Sequence, residues 1–354
     1  MNARNILLAI ALGASVLAQA QRLWWSVDFN TVFDNREGDR TYTEPRTFFQ
    51  TQLSPEIGIS LLDGTHRLAG GVVYTQPIGS EWDGHKLSPT LYYHYSAPAV
   101  QFSLGMFPRT QLHRPLPNYI WSDSSYYCQR NIRGAMAQIV NDKGFFEAVL
   151  DWRGMQGEHR REAFNIIVSG ERAYRSGALM WGGTAMMNHY AKSKHPVDEN
   201  LVDNFLVNPY VGVDLSKTAF RGLDSCAVRV GALASFTRDR GDMDWKTPVG
   251  AWLDIDVAWR WLEVKNTTYA GGRLFPYYSR YGAMLDQGEP FYASKWYNRT
   301  SVFGTILSND FMNLRASLDF NVAKGCFIFY QRLMLRFYFG ADSRSRKSKL
   351  PPVY

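Results

Sequence analysis

Apolar and polar residues alternate with a period of two along most of this chain, and the pattern is cleanest near its end. Met312, Leu314, Ala316, Leu318, Phe320 and Val322 interleave with Asn313, Arg315, Ser317, Asp319 and Asn321. After Ala323-Lys324-Gly325, one face carries Phe327, Phe329, Leu333, Leu335, Phe337 and Phe339, interrupted by Gln331. The other carries Tyr330, Arg332, Arg336 and Tyr338. A period of two marks a strand whose two faces meet different surroundings. Strands in soluble sandwiches average about five or six residues. Runs of about ten or more, with arginines on the polar face and an aromatic finish, fit a strand between lipid and water.

The same alternation predicts fourteen earlier strands, at 23–34, 49–61, 68–76, 87–95, 100–107, 132–140, 146–152, 163–168, 178–190, 205–215, 226–237, 249–260, 262–268 and 296–306. Connections after odd-numbered strands are mostly long and those after even-numbered strands mostly short, which is the polarity of an outer-membrane barrel. The expected fold is therefore all-β, a transmembrane antiparallel β-barrel of about 16 strands over residues 21–340, with both termini periplasmic. Pro55, Pro89 and Pro209 fall inside predicted strands, where a missing N–H demands a bulge or a strand end.

Arg4, the apolar run 6–16 and Ala18-Gln19-Ala20 read as an export signal over residues 1–20, too short to anchor in a bilayer. Residues 341–354 form a basic tail with Arg344, Arg346, Lys347 and Lys349. The mean hydropathy of -0.28 would suit a soluble protein, but a barrel strand is half polar by construction. Aromatic residues make up 15% of the chain, with 11 Trp and 20 Tyr, a load suited to two interfacial girdles. The net charge of +7 is scattered along an exported chain, which argues against nucleic acid as a partner. Cys128, Cys226 and Cys326 are too far apart to suggest a metal, and neither metal nor cofactor is expected.

The signal, the alternating strands, the loop polarity and the aromatic ending Arg336-Phe337-Tyr338-Phe339 resemble the porin-like outer-membrane β-barrels. The resemblance implies an integral outer-membrane protein among outer-membrane lipid, passing small hydrophilic solutes and able to form homo-oligomers. It also implies a third long loop folded into the lumen as a constriction, and here residues 109–130 hold that position. The loop's own composition agrees. Leu112, Leu116, Tyr119, Ile120, Trp121, Tyr126 and Tyr127 need a surface to bury against, and Pro115 and Pro117 stiffen the chain that carries them. Arg109, Arg114, Asp123 and Arg130 are its expected constriction residues.

The alternation places Arg229, Arg260, Arg315, Asp319, Arg332 and Arg336 on the pore-lining face, with the basic residues concentrated in late strands. Asp28, Glu56, Glu147 and Asp151 line early ones. Two arcs facing across a pore would impose a transverse field on a solute, whereas local salt-bridge ladders would merely hold the wall. No histidine sits in a nucleophile motif. The expectation is a porin-like channel and not an enzyme, with an adhesion or secretion-complex barrel as the alternative and a barrel-embedded hydrolase behind both.

Overall fold

The computed structural model describes residues 21–174 and 178–341; the expected export signal and the tail from residue 342 lie outside them. The strands are β1 (Gln21–Gly38), β2 (Arg46–Leu61), β3 (His66–Pro77), β4 (Lys86–Ser96), β5 (Val100–Pro108), β6 (Asn131–Asn141), β7 (Gly144–Gly154) and β8 (Ala163–Tyr174). They continue as β9 (Leu179–Tyr190), β10 (Val202–Asp214), β11 (Ser225–Asp239), β12 (Val249–Trp259), β13 (Leu262–Gly271), β14 (Trp296–Ser308), β15 (Met312–Ala323) and β16 (Cys326–Gly340). Each pairs antiparallel with its sequence neighbours, and β1 pairs with β16 to close one barrel. Each of the sixteen expected runs overlaps one of these strands, with Ala178, Leu215 and Arg260 just beyond the strand ends.

The alternation sorts apolar groups outward. Leu318 and Phe339 are 44% and 46% exposed, while Asp319 and Asn321, on the opposite face of their strand, are fully buried. An apolar outer face on a closed antiparallel barrel is what a membrane demands. With an even strand number, Gln21 and Gly340 lie at one rim, together with the connections at 62–65, 97–99 and 260–261. The opposite rim carries the long connections, among them 109–130 and 272–295.

The three strand prolines sit where the ladder is interrupted. Between β10 and β11 the pairing passes from Val207 and Ala234 to Tyr210 and Gly231, omitting Pro209. The Asn208 side-chain amide donates to the Ala232 carbonyl at 2.9 Å, taking the place of the missing backbone donor. Pro55 falls in a similar gap between β2 and β3. Pro89 pairs with Val72 of β3, but β4 meets β5 only from Leu91 onward.

Candidate functional site

Toward the loop rim, β5 and β6 end at Pro108 and Asn131, and the chain between them turns into the barrel. Leu116, Tyr119, Ile120, Trp121, Tyr126 and Tyr127 are all buried there. A short helix, α1 (Asp123–Cys128), starts at Ser122, whose hydroxyl accepts from the Ser125 N–H at 3.2 Å. The Tyr119 hydroxyl donates to Asn208 on β10 at 2.9 Å, and the Tyr127 hydroxyl donates to Asp34 on β1 at 2.8 Å. The loop therefore spans the lumen from wall to wall.

A second loop, 272–295, also enters the lumen, which the sequence reasoning missed. It buries Leu274, Phe275, Leu285, Phe291 and Tyr292. The signal was present, because this segment is as aromatic as the first. The loops are joined by Ser122 N–H to the Gln287 carbonyl at 2.8 Å and Glu289 N–H to the Asn118 carbonyl at 2.7 Å. At Gly288 a Cβ would lie 2.5 Å from the Tyr119 carbonyl oxygen, so the close approach requires glycine. Burial pushes the Asp286 carboxyl up to about 7, against the Asn204 hydrogen bond and the Arg153 charge.

All four expected loop residues lie inside the barrel. Arg109 is buried against Asp151 at 2.6 Å and stacks on Trp121. Arg114 meets Glu171 at 2.9 Å, and Arg130 lies 3.8 Å from Asp28. Asp123 takes Arg299 and Arg332 at 2.7 and 3.0 Å. Burial works against its charge, yet the two guanidiniums hold its pKa well below the usual carboxylate range.

Five of the six expected wall residues face the lumen. Arg332 and Arg299 share Asp319. Arg336 pairs with Asp28 at 2.8 Å, Arg315 with Glu263, and Arg229 with Glu171 and Asp254. These are mainly pairs between adjacent strands or with a loop, so the charges close locally rather than forming two facing arcs. Arg260 does not line the lumen. It occupies the β12–β13 turn at φ 56°, exposed and stacked on Trp259, because the ladder ends there.

The plug divides the lumen. A cavity of about 590 Å3 is lined by Arg114, Tyr210, Arg229, Trp252 and Lys265 among others. On the opposite side a polar chamber of about 360 Å3 includes Asp28, Glu56, Arg67, His94, Gln111, Arg130 and Arg336. A third cavity, of about 400 Å3 toward the loop rim, shares Val73, Arg130 and Asn131 with that chamber.

Inside the chamber, His94 Nδ1 is 2.8 Å from the Ser103 hydroxyl, which donates to Gln111 Oε1 at 2.7 Å. Since the serine proton goes to glutamine, His94 Nδ1 carries the hydrogen and Nε2 is the basic nitrogen. The ring is thus fixed by a fully buried serine in one tautomer. The Tyr92 hydroxyl donates to Glu56 at 3.0 Å, and Arg67 stacks 4.1 Å above Trp24. A neutral imidazole can accept a proton in the transition state while the neighbouring cations face developing negative charge. Sequence reasoning counted His94 among the histidines on strands or long loops but gave it no role, because its partner Ser103 comes from the next strand and no local motif joins them.

The sequence profile of the lipid A 3'-O-deacylase-type family matches residues 16–342. The chain belongs to that family. This overturns the expectation of a chain that is not an enzyme, for the family bears the name of an ester hydrolase. Among curated proteins none matches the sequence. The fold is similar to that of the Pseudomonas aeruginosa outer membrane protein opdK, with a TM-score of 0.52 at 8% identity over 90% of this chain and 99% of that one. It is also similar to a BenF-like porin from Pseudomonas fluorescens, with a TM-score of 0.51 at 8% identity over 90% and 98%. Pseudomonas aeruginosa OpdL gives 0.51 at 11% identity over 90% and 99%. The porin likeness therefore holds for the barrel, while the family is a deacylase-type one.

Proposed function

We propose that this barrel sits in the outer membrane, termini toward the periplasm, and hydrolyses an ester-linked acyl chain of a lipid A-type glycolipid. The observation that carries the reading is His94, held in one tautomer at the edge of a polar chamber, in a chain of the deacylase-type family. His94 Nε2 removes a proton from water as the water oxygen attacks the ester carbonyl. Arg67 and Arg130 face the oxyanion that forms. Collapse breaks the bond to the sugar oxygen, which leaves as a hydroxyl after taking the proton back from His94, and the acyl chain departs as a carboxylic acid. Ser103 and Gln111 are positioning residues.

Mass spectrometry of lipid A from outer membranes containing the protein tests this. The wild-type chain is expected to remove one acyl chain, and His94→Gln to slow removal by about 10²–10⁴-fold with the barrel still folded. Full activity in His94→Gln would remove the histidine from the mechanism, and intact lipid A with the wild-type chain would sink the reading.

Passage of small hydrophilic solutes is a second reading, favoured by the polar cavities that meet at Arg130 from the two sides. Single-channel conductance in a planar bilayer tests it. A conductance that rises in Arg130→Ala would support it, and a silent bilayer with folded protein would exclude it.

A further inference from the structure

The barrel wall is incomplete between β4 and β7. On β4, Lys86 to Thr90 pair with β3, but their other edge has no ladder partner, because pairing with β5 begins at Leu91 and Met106. On β7, pairing with β6 stops at Gly134 and Asp151, leaving Trp152 to Gly154 unpaired on that side. The 109–130 loop turns inward from the ends of β5 and β6 at this place. An open sheet edge is not tolerated against lipid and survives where it lines a polar space. Pro89 fits such an edge, since it brings no N–H to be satisfied.

The cavity of about 400 Å3 lies at this gap and is lined from both faces of the wall. Leu87 and Trp152, 61% and 38% exposed, belong to the outer face. Gln50, Thr75, Asp151 and Arg153 belong to the lumen. Across the gap, Asn131 Nδ2 donates to the Pro89 carbonyl at 3.3 Å. Asn131 is 93% buried by its 7% exposure, and its Oδ1 has no partner; nor has Arg153 Nε. One is an unused acceptor and the other an unused donor, on residues that line the cavity. Lys86 and Arg133 are exposed, and among the described residues neither forms an ion pair. Asp151, the cavity's acidic residue, is already taken by Arg109.

The geometry points to a lateral port: a phosphorylated glycolipid of the surrounding leaflet enters the lumen between β4 and β7, its phosphate met by Lys86 and Arg133. This rests on the deacylation reading for the identity of the lipid. The cavity's shared residues Val73, Arg130 and Asn131 lead onward to the His94 chamber. Apolar Leu87 and Trp152 at the mouth suit acyl chains, and the polar interior suits a sugar.

Photo-crosslinking from inside the lumen tests the port. p-Benzoylphenylalanine replaces Thr75, or Ser88 in a second variant, with Thr267 in the larger cavity as reference. Each full-length protein is placed in nanodiscs containing lipid A or phosphatidylglycerol, and heat-modifiable migration verifies the folded barrel. Irradiation is expected to attach lipid A at Thr75 and Ser88 and not at Thr267. Combining Lys86→Glu and Arg133→Glu should lower the yield roughly tenfold, as expected for basic residues at an anionic lipid surface. No adduct at either site in a protein that still deacylates lipid A overturns the port and leaves the activity standing. Adducts without deacylation support the port and overturn the activity. Equal labelling by phosphatidylglycerol overturns the glycolipid assignment, and an adduct of twice the protein's mass assigns the gap to a neighbouring copy and overturns the port.

Discussion

The late arc of the barrel, β14 to β16 and back to β1, differs from the early arc, β4 to β7. In the late arc the ladder runs nearly the full strand length, with one irregularity at Thr305 and Leu307. Its charges are consumed in place: Arg299 and Arg332 clasp Asp319 and Asp123, and Arg336 clasps Asp28. In the early arc the ladder breaks toward the loop rim, and Lys86 and Arg133 at the break have no acidic partner among the described residues. A continuous, charge-neutral arc holds shape, whereas an interrupted and unbalanced one has spare bonding capacity for a ligand. By this measure, the arginines that look most like pore machinery are structural.

The strongest way to break this comparison is Asp319→Ala. It leaves two enclosed guanidiniums sharing Asp123 and should cost about 3 kcal/mol or more in denaturant unfolding, with deacylation per folded molecule retained. Loss of activity without loss of stability would move the functional site to the late arc. Leu318→Arg should cost about 2–4 kcal/mol, because Leu318 faces lipid from a closed ladder. Leu87→Arg should cost far less, since Leu87 lies at the loop-rim end of β4, where the edge toward β5 has no ladder partner; equal costs would mean that the early wall is closed. A smaller effect concerns the plug where it meets β7. Arg153 donates to the Met284 carbonyl of the 272–295 loop, close to Asp286. With the folded pKa of Asp286 raised to about 7, the folded state keeps a proton that the unfolded chain has lost above about pH 4. Plug stability should therefore fall as pH rises from about 4 through 7. Amide exchange at 285–287, corrected for intrinsic rate, should be slower at pH 5 than at pH 8. In Asp286→Asn the difference should vanish, and an undiminished pH dependence there would assign it to another group.

Strand number, strand phase and the inward course of 109–130 were legible from the chain because each depends on local order. A period of two says which side chains share a face, and a loop as aromatic as Leu116 to Tyr127 must bury itself somewhere. The second inward loop carried the same signal, but its aromatics are spread over 275–292 with glycines between them. What no local pattern could give was assembly across strands. His94 becomes a held imidazole through Ser103 of β5 and Gln111 of the loop, and Asp123 gains Arg299 and Arg332 from 176 and 209 positions further along the chain. The gap between β4 and β7 follows from where β5 and β6 leave the wall. Alternation reports the environment of a single strand, whereas pairing, ion-pair partners and breaks in the wall belong to two or more segments meeting in space, and closure of the barrel decides which segments meet.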